Sequence, residues 1–151
     1  YLAFAVRRFV GASWAATVAV EALFVASIAA AFRAKSFDTQ LGLNGSIGYL
    51  PALLAMLTVG AWLAIRRHPA GPWAIAAGST FAVSLALRSI DRAICDHTVV
   101  FGRALGTHFL WHILNSVTLF LLLAAAIRHG TVSHQVLPPR PRPARPSYTA
   151  R

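Results

Sequence analysis

The sequence predicts an all-α integral membrane protein with four full transmembrane helices and the end of a fifth. Three observations carry that prediction. Four hydrophobic runs approach or reach the roughly 20 residues that a bilayer core of about 30 Å demands. The chain, 151 residues long, is 57% hydrophobic and 12% charged, about half the charged content of an ordinary soluble domain. Its basic residues, which give a net charge of +10, stand between the runs and in the tail. That is a pattern of membrane topology rather than of a nucleic-acid-binding face.

Each element follows from its residues. The apolar stretch from Tyr1 to Val6 precedes Arg7 and Arg8, the reverse of a signal peptide, in which the charges come first. It is too short to span and reads as the last turns of a helix, with the chain a C-terminal piece of a longer protein. The first full span is expected from about Ala12 to Phe32, interrupted by Glu21. A loop from Arg33 to Ser46 follows, holding Lys35, Asp38 and the turn-prone Asn44-Gly45-Ser46. The second span runs from about Ile47 to Ile65, with Pro51 in its first turns, where a missing N–H is tolerated. Arg66 to Gly71 is a short basic turn. Pro72 suits the opening of a third span that ends near Ser89. Arg92 to Leu105 is a polar connection, and Gly106 to Ile127 is the fourth span, about 33 Å long at about 1.5 Å per residue. Residues 1–128 thus form the helical bundle. Residues 129–151, with Pro138, Pro139, Pro141, Pro143 and Pro146 among arginines, form a disordered cytoplasmic tail.

Alternation assigns the sides. Arg7, Arg8, Arg66, Arg67, Arg128 and the tail share one side, expected to be cytoplasmic. Arg33, Lys35, Asp38, Arg92, Asp96 and Arg103 share the other. The fourth span therefore enters from the outer side, and its first turns carry His108 and His112. A spacing of four sets both imidazoles on one helical face, where they can hold one metal ion. Ionisable groups at membrane depth are functional candidates. Two histidines hydrogen-bonded between helices are an equal reading, because two imidazoles do not complete a zinc site. A single cysteine, Cys95, excludes an internal disulfide and a multi-cysteine zinc site. Asn115 continues the histidine stripe, as an interhelical hydrogen bond or a contact to a ligand imidazole. Ser84, Arg88 and Asp91 share a face of the preceding helix, with Arg88 and Asp91 expected to pair. Glu21 is either a proton relay or a packing contact. His68, His97, His129 and His134 read as solvated.

The stretch Ser84 to Asp96 and the run Gly106-Thr107-His108-Phe109-Leu110-Trp111-His112-Ile113-Leu114-Asn115 resemble the C-terminal part of the alkaline ceramidase family, the bacterial members above all. Asp91 and Cys95, four apart and shortly before His-x-x-Trp-His, match its pattern. Asn44 to Pro51 and Tyr1 to Arg8 also fit, so the likeness reaches to about Arg128. It implies a seven-helix membrane hydrolase with an intramembrane Zn2+, of which this chain is the C-terminal part. His108 and His112 match two of three histidine ligands. The third, with a serine and an aspartate, comes from helices outside this chain, as does the calcium segment of eukaryotic members. The implied reaction is hydrolysis of the amide of ceramide or a related lipid amide to a long-chain base and a fatty acid. Zinc would lower the pKa of a water for that purpose. The implied setting is a bacterial inner membrane, with the C-terminus cytoplasmic and the metal site towards the outer side. The piece alone is expected to be inactive and to bind zinc weakly. Two other classes stay open: a non-enzymatic receptor or transporter on a seven-helix scaffold, and a haem protein.

Overall fold

The computed structural model describes residues 1–40, 43–94, 99–100, 103–104 and 106–130. Helix α1 (Leu2–Ala5) runs directly into a π-helical turn, Val6–Val10, closed by Gly11 at φ +77°. Helix α2 (Trp14–Arg33) starts at Ser13, whose hydroxyl accepts the Ala16 N–H at 3.2 Å, an N-cap that satisfies one orphan donor. The short α3 (Lys35–Gln40) comes next, and a 3₁₀ turn, Ser46–Tyr49, leads into α4 (Leu50–Ile65). Helix α5 (Gly71–Ile94) is followed by a two-stranded antiparallel pair, β1 (Val99–Val100) and β2 (Arg103–Ala104), and by α6 (His108–His129).

Four segments among the described residues are long and apolar enough to cross a membrane: Trp14–Arg33, Ser46–Ile65, Gly71–Ile94 and His108–His129. This is the architecture of an integral, multi-pass membrane protein. The boundaries differ from the sequence reading in two places. The third span does not stop near Ser89 but runs to Ile94. Hydropathy falls before the helix does, because the polar residues of its last turns are used against neighbouring elements. The Arg33–Ser46 loop is also partly helical, since it contains α3. The Asn44-Gly45 turn is where the composition placed it, with both residues left-handed at φ +53° and +79°. Asp38 holds that turn by accepting the N–H groups of Gly45 and Ile47 at 2.7 and 3.1 Å. The tail from residue 131 and the segment with Cys95, Asp96 and His97 lie outside the described residues.

Helix α5 packs between α4 and α6 and supplies much of the core, with Ala74, Ala77, Phe81, Ser84 and Leu85 buried. Close approach to α4 rests on small residues. A Cβ on Gly60 would lie 3.0 Å from the Ile75 nitrogen, and one on Gly71 would lie 2.9 Å from the Ala64 nitrogen. Backbones without Cβ atoms between them are how helices gain contact inside lipid, where hydrophobicity itself does not drive them together.

Contacts define the two ends of the bundle. At one end Phe9 meets His68, with ring centres 5.3 Å apart. Arg7 stacks on Trp14, Arg66 on Trp62 and Arg128 on Trp73 at 5.1, 5.0 and 4.7 Å. Tryptophan and arginine at one level mark a membrane–water boundary. At the opposite end Tyr49, Arg88, Asp91, Thr107 and Trp111 come together.

Candidate functional site

Helix α6 begins at His108 itself, which puts both histidines in its first two turns. The start of the helix is fixed from α5. One carboxylate oxygen of Asp91 accepts the Thr107 N–H at 2.6 Å, and the Thr107 hydroxyl donates to the Leu87 carbonyl at 2.9 Å. A carboxylate there satisfies an orphan donor and lies at the positive end of the helix dipole. The other Asp91 oxygen is 4.0 Å from His108 Nδ1, with the Asp91 side chain mostly covered and that of His108 46% exposed. At 4.0 Å this is an electrostatic contact rather than a hydrogen bond, and it puts a carboxylate on the Nδ1 side of the ring.

The expected pairing of Arg88 with Asp91 is not what forms. Asp91 turns to Thr107 and His108, and Arg88 lies against Trp111 and Tyr49, its Cζ 4.7 and 5.2 Å from their ring centres. The start of α6 offers Asp91 an N–H and an imidazole, which no reading confined to α5 could include. The interhelical reading of Asn115 is seen: the Ser84 hydroxyl lies 2.9 Å from Asn115 Oδ1 and 3.1 Å from the Trp111 carbonyl. The fully buried Ser84 so ties α5 to α6 just below the histidines.

The histidine rings have centres 5.0 Å apart and stand nearly perpendicular, at 82°. Trp111 lies beside them, 5.3 Å from His108 and 4.4 Å from His112. His112 is exposed, and its ring makes no hydrogen bond to another helix among the described residues. The pair suits two of the ligands of a zinc ion. It does not make a site alone: among the described residues, no group of three or more His, Cys, Asp or Glu converges on a common point. The arrangement is poor for haem, which takes axial ligands from opposite faces of the porphyrin.

The remaining candidates fall elsewhere. Glu21 accepts the Ala3 N–H at 2.8 Å, a packing contact between α2 and α1. His68 is not simply solvated, because its Nδ1 accepts the Ala70 N–H at 3.1 Å and its ring packs on Phe9. His129 belongs to the last turn of α6, with Nε2 buried. Sequence reasoning missed the role of Trp111 as the common neighbour of both histidines and Arg88. Its position one residue before His112 was the available signal. Also missed was an almost wholly apolar cleft of about 360 Å³, lined by Tyr1, Phe24, Met56, Phe81, Asn115 and Leu119 among others. Asn115, about one turn below His112, is part of its lining.

No protein-family model, curated protein or solved structure matches this chain.

Proposed function

We propose that this chain is the histidine-bearing part of a zinc-dependent membrane amidase that hydrolyses ceramide or a related lipid amide. The observation that carries the reading is the pair itself: His108 and His112 on one exposed face, with Asp91 behind His108. The resemblance noted in the sequence supplies the substrate class. Zinc, when bound, supplies Lewis acidity and lowers the pKa of a water. His108 and His112 would hold it, and Asp91 would keep the His108 ring turned. The apolar cleft that Asn115 helps to line suits an alkyl chain still within the bilayer. On this reading a third ligand comes from outside the described residues. By the positive-inside rule the histidine end faces outward and the Arg–Trp end faces the cytoplasm.

A second reading, a non-enzymatic receptor or transporter-like membrane protein, is favoured by a specific observation. The described residues bring together two candidate ligands and no third. On those residues alone it asks for less than the amidase does. Incubating the zinc-loaded full-length protein with a panel of lipid amides separates the two. Release of fatty acid, lost in both His108→Ala and His112→Ala, is expected. An inert wild type that binds zinc would leave the second reading standing.

A further inference from the structure

A second cavity, of about 780 Å³, opens at the histidine end of the bundle, lined by Asp38, Thr39, Asn44, Tyr49, Arg88 and Arg92 together with apolar Ala31, Phe32 and Ile47. Arg88 and Arg92 stand four apart on α5, one turn above the other, so both guanidinium groups serve the same side. Arg88 is half-buried, and its Nε has no hydrogen-bond partner among the described residues. Its contacts with Tyr49 and Trp111 soften the charge but satisfy none of its five donors in the ordinary way. The carboxylate in the cavity does not answer it. Asp38 is engaged by the Gly45 and Ile47 N–H groups, and no ion pair to Arg88 or Arg92 forms among the described residues. A half-buried guanidinium with no ion pair among the described residues is costly, and an anion with several acceptor oxygens offsets that cost.

We propose that this cavity binds the phosphate group of an anionic membrane lipid, held by Arg88 and Arg92. Its level in the bundle argues for the lipid source. Arg88 lies in the penultimate turns of a membrane span, where headgroup phosphates lie. The apolar residues on the cavity wall meet what a phosphate carries when it belongs to a lipid. Guanidinium forks match phosphate oxygens in pairs, which a lysine ammonium does not reproduce. The inference stands on its own and does not rest on the metal reading.

The test is calorimetric titration of the purified full-length protein, in neutral detergent, with dihexanoyl phosphatidic acid, dihexanoylglycerol and inorganic phosphate. Saturable binding of the phosphatidic acid and none of the glyceride is expected. Arg88→Gln should weaken binding about tenfold or more, and the exposed Arg92→Gln several-fold, since a charge-assisted contact is worth about 1.5–3 kcal/mol. Arg66→Gln, at the opposite end, should leave it unchanged. Arg88→Lys keeps the charge and guards against a folding defect; it should still lose several-fold. Equal affinity in Arg92→Gln and Arg88→Lys would overturn the site. Inorganic phosphate bound as tightly as the lipid would overturn the lipid source and assign the cavity to the free anion.

Discussion

Asp91 is the residue on which the geometry of the histidine pair turns. It accepts the N–H of Thr107, the residue before α6, and its other oxygen lies 4.0 Å from His108 Nδ1, so one carboxylate stands at both the start of the helix and its first ring. Asp91→Asn keeps the shape and removes the charge. It is expected to weaken zinc binding of the full-length protein by about 10–100-fold, as loss of such an outer partner does elsewhere, while circular dichroism keeps its helical signal. Unchanged zinc affinity would reduce Asp91 to a helix cap. Ser84→Ala probes the layer beneath. It removes the contact to Asn115 and the Trp111 carbonyl and should cost about 0.6 kcal/mol, up to about 1.7, as membrane-embedded hydrogen bonds do. Thermal unfolding in detergent reads that loss.

Among the elements, α5 joins α4 to α6: its small residues meet α4, and its polar residues, Ser84, Arg88 and Asp91, meet α6 or Tyr49. Gly60→Val places a branched side chain against the backbone of Ile75 and Ala74 and should destabilise the α4–α5 pair by about 1–3 kcal/mol, visible as a lower unfolding temperature. The spans were legible in the sequence because hydropathy and length suffice to place a helix in lipid. The Asn44-Gly45 turn was legible because its residue types tolerate positive φ. The end of α5 was not, since hydropathy cannot tell a polar residue in a loop from one whose helix continues. Nor could the sequence assign Asp91, whose partners, Thr107 and His108, are brought to it only by the packing of α6. The histidine pair was legible because a spacing of four fixes a shared face within a single helix. The apolar cleft and the polar cavity each draw on residues from several elements, and no local pattern announces either.

At the scale of the whole molecule, the two ends of the bundle differ in chemistry: Arg–Trp stacks at one, histidines and a polar cavity at the other. Single cysteines in a Cys95→Ser background test the orientation. An impermeant thiol reagent added outside intact cells should label Gln40→Cys and spare Arg67→Cys, and the reverse pattern would invert the topology. Zinc content is the most direct measurement on the histidine pair. Purified full-length protein should carry about one zinc, lost in both His108→Ala and His112→Ala while the helical signal and solubility in detergent are kept. Zinc-free protein, or zinc that both substitutions leave untouched, would contradict the account and return the histidines to helix packing.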